Sequence, residues 1–237
     1  MGVFMLKKYT CLIAAIFIMS PTLMAQTLEE VVVTAQIREQ SLQDVPISIS
    51  AISGEDIADR SVDSLQSLSA SIPNFMVVET QIDTSISIRG VRSGANKGFE
   101  QSVPMVFDGI SYPRSQLART PLVDLERVEV LRGPQPTLFG KNAIGGVVNV
   151  SSAKPTEEFE GKFSTSHESE HGEDQSLLVL SGALSESVLG RLTVSTREMD
   201  GWITNTNMKR LEPQRDETYI RGQLAWTSGD IDYNLKV

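Results

Sequence analysis

Three patterns of apolar and polar residues follow one another along the chain. Residues 10–19 are almost unbroken apolar sequence. From residue 45 to 155, short apolar or alternating stretches are broken every few positions by Gly, Pro and Ser. From Phe159 onward, stretches of about ten residues alternate between apolar and polar, the period of a strand with one apolar face.

The middle region predicts mixed elements. Val45, Ile47, Ile49 and Ala51 fall on one face of a strand. Ser53-Gly54-Glu55-Asp56 is a capping-box pattern that starts a helix, and a second helical stretch near residues 63–69 is stopped by Pro73. Short strands are predicted at residues 75–78, 85–89, 105–107, 127–131 and 147–150. Gly90, Gly109, Gly133, Gly140, Gly145 and Gly146 punctuate them as turns. Residues 45–155 therefore read as a compact α+β domain of about 110 residues, an ordinary size for one core.

The last region predicts antiparallel strands. Leu192, Val194 and Thr196 alternate with Arg191, Thr193, Ser195 and Arg197. Ile220, Gly222, Leu224 and Trp226 alternate with Tyr219, Arg221, Gln223 and Ala225, and Ile231, Tyr233, Leu235 and Val237 with Asp232, Asn234 and Lys236. Turns such as Ser228-Gly229-Asp230 separate them. Barrel strands have this signature, and a soluble β-sandwich gives the same alternation. At most about five strands fit into residues 156–237, and closure needs at least about eight, so a barrel here is unfinished.

The front of the chain reads differently. Lys7 and Lys8 precede the apolar run, Ser20-Pro21 breaks it, and Leu23-Met24-Ala25 puts a small residue at a cleavage position. Residues 1–25 are thus a predicted secretory signal peptide of the Sec type. The run is about half the roughly 20 apolar residues a membrane helix requires. Cleavage after Ala25 removes Cys11, the only cysteine, which is no lipid-anchor site because Lys8 and Thr10 stand close before it. Losing Lys7 and Lys8 takes the formal charge from -9 down by two, to -11. That acidic balance argues against nucleic acid. Any membrane insertion after residue 25 must use strands of a barrel.

Glu30-Val31-Val32-Val33-Thr34-Ala35 favours an extended backbone, and residues 36–44 are polar and read as a flexible linker. Two readings stand side by side. The segment adds as a strand to a partner's sheet edge, or it is a short strand of the following domain.

One motif suggests chemistry. His167-Glu168-Ser169-Glu170-His171 matches the HExxH pattern of zinc proteases. That chemistry needs a helix, so that two histidines four apart share one face. Here residues 159–166 read as a strand and Gly172-Glu173-Asp174 as a turn, and in a strand the spacing loses its meaning. No metal, cofactor or catalytic residue is expected, and the chain is read as no enzyme.

The run from Glu126-Arg127-Val128-Glu129-Val130-Leu131-Arg132-Gly133-Pro134 through Thr137-Leu138-Phe139-Gly140 to Gly145-Gly146-Val147-Val148-Asn149-Val150 resembles the plug signature of TonB-dependent outer-membrane receptors. Residues 30–35, Ile88-Arg89-Gly90 and Val103-Pro104-Met105-Val106-Phe107-Asp108-Gly109 match other family segments in order and spacing. The resemblance covers residues 26–237. It implies an export signal (1–25), a TonB box and linker (26–44), a plug domain (45–155) and the first strands of a transmembrane β-barrel (156–237), within a complete barrel of about 22 strands.

Further expectations follow from it. The TonB box, Glu30 to Ala35, pairs with periplasmic TonB. The loops at residues 92–101 and 111–119 face outside, with Arg92, Asn96, Lys97, Phe99, Tyr112, Arg114 and Gln116 as candidate ligand contacts. Arg89 and Arg132 match family arginines that lock the plug to barrel glutamates; Glu126 and Glu129 could serve them locally, but are read as exposed strand carboxylates. Pro136 stands where the family usually has Gly, which questions the local turn, and Lys141 stands where Arg is common. No signalling domain separates the cleavage site from the TonB box. The resemblance implies an importer of a scarce nutrient such as a ferric-siderophore chelate, with a truncated, soluble plug-only periplasmic binding module as the alternative.

Overall fold

The computed structural model describes residues 32–33, 40–41, 43, 45–80, 84–93, 100–112, 114, 118–170, 172–229 and 231–237. The predicted export signal lies outside them, as do Glu30, Val31, Thr34 and Ala35.

Seventeen strands occur among the described residues. The first ten are β1 (Val32–Val33), β2 (Gln40–Ser41), β3 (Ser48–Ser53), β4 (Phe75–Glu79), β5 (Thr84–Ile88), β6 (Val91–Arg92), β7 (Met105–Phe107), β8 (Ile110–Tyr112), β9 (Leu125–Arg132) and β10 (Gly146–Ser152). Three short helices accompany them: α1 (Gly54–Asp59), α2 (Leu65–Ser69) and α3 (Pro136–Phe139).

A five-stranded sheet, ordered β3-β9-β10-β7-β8, is the frame of this region. β10 runs parallel to β7 and antiparallel to β9. Both faces of β9 and β10 are covered, so their side chains enter two cores by strand alternation. Val128, Val130, Val148 and Val150 join Leu65, Leu68, Phe75 and Ile88 on one side. Leu131 and Val147 join Val45 and Ala143 on the other. Two-sided burial suits the apolar run Val147, Val148 and Val150 on β10, whereas β9 carries charged residues among its buried valines.

The first two helices form where the sequence predicts them. Ser53 caps α1 by accepting from the Asp56 N–H, and Ser64 and Ser67 form a reciprocal capping box on α2. α1 begins against β9 so closely that a Cβ on Gly54 would lie 1.7 Å from the Leu125 carbonyl oxygen. α3 had no sequence prediction. Pro136 is its first residue, where a fixed φ suits the helix and the missing N–H is not needed. The proline is accommodated as a helix start.

The second region is one antiparallel sheet of β11 (Glu160–Glu168), β12 (Glu173–Ser185), β13 (Val188–Met199), β16 (Arg215–Ser228) and β17 (Ile231–Lys236), in that order. A small hairpin, β14 (Ile203–Asn205) with β15 (Arg210–Glu212), extends from the β13–β16 connection. The turns after β12 and β16 are short, and the hairpin sits at the opposite end. Register sorts the side chains into rows: Phe163, Leu178, Val194 and Ile220 stand abreast on the outward face. Trp226 and Tyr233 stack on that face with ring centroids 5.1 Å apart. Ser181, Thr193, Arg221 and Gln223 point the other way and are buried. The sheet is apolar outside and polar inside, the arrangement of a barrel wall rather than of a sandwich.

Candidate functional site

The polar face of the wall meets the first region most extensively at one carboxylate. Asp124 precedes β9 with a left-handed φ of 53°, which turns the chain into the strand and sets its carboxylate toward the wall. Arg191 on β13 grips it with two bonds, one from Nε to Oδ2 at 2.9 Å and one from Nη2 to Oδ1. Arg221 on β16 donates from Nη2 to Oδ2 at 2.9 Å, and the Thr193 hydroxyl adds a further bond. The ion-paired side chains are nearly closed to water: Asp124 is 6% exposed, Arg191 9% and Arg221 5%.

Burial pushes the Asp124 carboxyl up. The hydrogen bonds from Arg191 and Thr193, with the charges of Arg191 and Arg221, outweigh that effect and hold it below the usual carboxylate range. Arg191 also donates to the Lys154 carbonyl at 3.3 Å and pairs with Glu160 at 3.2 Å. The chain leaving β10 is thereby tied to the same guanidinium.

Further ties repeat this polarity. Arg197 pairs with Glu173 at 2.9 Å within the wall and with Asp63, which precedes α2. Lys236 reaches Asp108 and the Ser152 hydroxyl, each at 2.9 Å. Gln223 donates to the Ala153 carbonyl at 3.0 Å. In each of the ion pairs described across this junction the carboxylate comes from the α+β region and the cation from the wall.

The sequence expectation emphasised the opposite polarity. Arg132 donates to Ser48 at 3.1 Å and to Ser50, while its Nε is buried without a hydrogen bond. Burial, then the neighbouring Arg89 charge, lowers its affinity for its proton. Among the described residues neither Arg89 nor Arg132 forms an ion pair, so the structure brings the two arginines together without a carboxylate.

Glu126 and Glu129 correct the sequence reading. They are not exposed strand carboxylates: Glu129 is fully buried, and Glu126 is partly covered. Arg127 donates to Glu129 at 3.0 Å and to Glu126 at 2.6 Å, and the Asn149 amide donates to Glu129 at 2.9 Å. Glu129 and Arg127 share a face of β9 two residues apart, and Asn149 is directly opposite on β10. These signature residues form an internal polar ladder in the sheet.

The other expected positions are scattered. Val33, in the segment expected to be the TonB box, is fully buried beside Val45, Val106, Leu131, Ala143 and Val147. Its strand pairs with Gln40–Ser41, inside the stretch read as linker. Arg92, Tyr112 and Arg114 are exposed, whereas Asn96, Lys97, Phe99 and Gln116 lie outside the described residues. Gln101 is buried, and Arg119 donates to the Thr84 hydroxyl at 3.0 Å, which fastens one end of its loop. His167 lies in β11 and contacts Asp174 at 2.8 Å across the strand pair, so the helical spacing of a zinc motif does not arise there. His171 lies outside the described residues.

Sequence reasoning missed Asp124, Asp63 and Asp108. A signal was present: the polar faces of the last strands carry Arg191, Arg197, Arg221 and Lys236, and inward cations require partners. Nothing in the sequence says which of the domain's carboxylates supplies them.

The family profile described as TonB-dependent Receptor Plug Domain matches residues 41–147. The iron-regulated outer membrane virulence protein of Vibrio cholerae is 35% identical over 185 residues, which are 71% of this chain and 28% of that protein. The pesticin receptor of Yersinia enterocolitica is 29% identical over 162 residues, 67% of this chain and 24% of its own. The solved ferric yersiniabactin uptake receptor FyuA of Yersinia pestis superposes with a TM-score of 0.71 at 25% identity, over 78% of this chain and 29% of that one. The chain spans less than a third of the length of these relatives. With the plug profile, the alternating wall and the tied junction together, the chain belongs to the TonB-dependent receptors of the outer membrane, of which it carries the plug and the opening strands of an incomplete barrel.

Proposed function

We propose that this chain is the gate of an importer that takes a scarce nutrient, most simply a ferric-siderophore chelate, across the outer membrane with energy delivered by TonB. The observation that carries the reading is Val33. It is fully buried against Leu131 and Val147 of the central plug strands, so the coupling segment is seated on the sheet that it is to move. Tyr112, in the loop region proposed to meet ligand, ends β8 of that same sheet. Ligand end and motor end thus meet on one sheet, the first as its edge strand and the second packed against it.

The names of the relatives support the substrate class: an iron-regulated outer-membrane protein and a ferric yersiniabactin uptake receptor. Arg89 and Arg132 keep the assignment proposed for them, locking the plug to glutamates on other parts of the barrel. No covalent chemistry is involved. The plug-only soluble reading loses ground, because a sheet with Phe163, Leu178, Ile220 and Leu235 exposed on one face is poorly suited to water.

Replacing Val32 with proline tests the coupling step. It removes an N–H from the β1–β2 segment and from any strand pairing with TonB. Uptake of a ferric siderophore is expected to stop while binding of the same chelate to cells persists. Uptake at the wild-type rate would refute the assignment.

A further inference from the structure

The outward face of the wall contains a groove of about 410 Å³ that import does not use. Its floor is largely glycine. Gly182 stands opposite Gly190, and Leu192 opposite Gly222, across adjacent strands. Two of these glycines are roofed by the protein itself, Gly182 by Phe159 and Gly190 by Leu184. Gly222 is open: a side chain there would meet nothing within 4 Å. Leu192, Leu224, Leu235 and Val237 stand around it as walls, all at least partly exposed.

We propose that this groove seats one acyl chain of a phospholipid from the periplasmic leaflet. The groove is continuous with the lipid-facing band, so in the membrane its occupant is apolar. Its width suits a flexible chain, because the notch at Gly222 is one side chain across, whereas a helix about 10 Å wide needs a broad flat face. Its position selects the leaflet. The groove lies toward the Trp226–Tyr233 stack and the short turns after β12 and β16, and short turns mark the periplasmic end of such barrels. At the other end of the outward face Asp174, Glu198 and Asp216 stand abreast and repel lipid phosphates. The proposal rests on the outward face being the membrane face and not on the identity of the cargo.

Native mass spectrometry of the complete receptor decides it, after reconstitution in palmitoyl-oleoyl phosphatidylethanolamine and, in parallel, with lipopolysaccharide. The wild type is expected to retain one phospholipid. Gly222→Leu, which fills the notch, is expected to lower that occupancy about tenfold, the loss of contact for about two methylenes. Leu224→Ala lowers a wall without straining the strand and is expected to reduce retention in a barrel that still shows heat-modifiable mobility. Val194→Ala, outside the groove, is expected to retain the lipid. Equal occupancy in wild type and Gly222→Leu overturns the proposal. So does preferential retention of lipopolysaccharide, or equal loss in Val194→Ala, which would mean annular lipid only.

Discussion

Asp124 and Arg191, 67 residues apart in sequence, form a two-bond fork that joins the turn before the central plug strand to the third strand of the wall. Arg221 shares the same carboxylate. Removing the shared partner takes the carboxylate from buried Arg221 and leaves Arg191 with the more exposed Glu160. Asp124→Ala is therefore expected to destabilise plug seating by about 3–5 kcal/mol. Denaturant unfolding of the complete receptor measures it. Asp124→Asn, which loses the charge but still accepts a hydrogen bond, should lose less, and equal losses would show that the neutral acceptor contributes nothing and the charge alone holds the junction.

Acid should loosen the same junction. The folded pKa of Asp124 lies below its unfolded value of about 3.9, so the stabilisation is complete above that value and is lost as pH falls through the folded pKa. Protease protection of the plug is expected to hold at about pH 5 and to weaken only below about pH 4. An Asp124→Asn receptor should show less of this acid-induced weakening.

The buried latch at Val33 predicts a graded effect. Val33→Ala removes two methyl groups from the cluster with Leu131 and Val147, worth about 1.5 kcal/mol. Hydrogen exchange at the Val33 and Gln40 amides should accelerate about tenfold, while exchange in β9 and β10 stays unchanged. Exchange already fast in the wild type would show that the segment is not held.

Glu129 predicts a contrast between two substitutions. Glu129→Ala takes a buried carboxylate from the mostly buried Arg127 and the acceptor from the Asn149 amide, at a cost of about 2–4 kcal/mol. Glu129→Gln keeps an acceptor for either donor and should cost less. Urea titration of the complete receptor distinguishes them, and a neutral Glu129→Ala would return the residue to the surface role first read from the sequence.

Gly146→Ala is the sharpest backbone test. A Cβ there would lie 2.2 Å from the Leu131 carbonyl oxygen, at a φ of 149°. Alanine must push β10 away from β9, and the receptor should fail to accumulate in a folded, heat-modifiable form.

Much of the fold could be read directly. The serine caps of α1 and α2 act through neighbours three residues away, and the period-two alternation of Arg191 to Arg197 or Tyr219 to Trp226 is a local property of a strand with two unlike faces. Strands β6 and β8 were not foreseen because they are two and three residues long and carry no period. Helix α3 is not legible in the sequence because a single turn of four residues opened by Pro136 carries no apolar period.

The site was less accessible, for a different reason. The sequence by itself determined that the wall strands carry inward cations and that Arg127, Val128, Glu129 and Val130 alternate charged and apolar positions, since both follow from side-chain period alone. Only the tertiary structure decided that Asp124 receives Arg191 and Arg221, that Glu129 is buried beneath the strands rather than exposed on them, and that Val33 is docked. Each of these is a pairing between segments far apart along the chain, and the free energy of such a pairing depends on burial and distance, which no local pattern encodes.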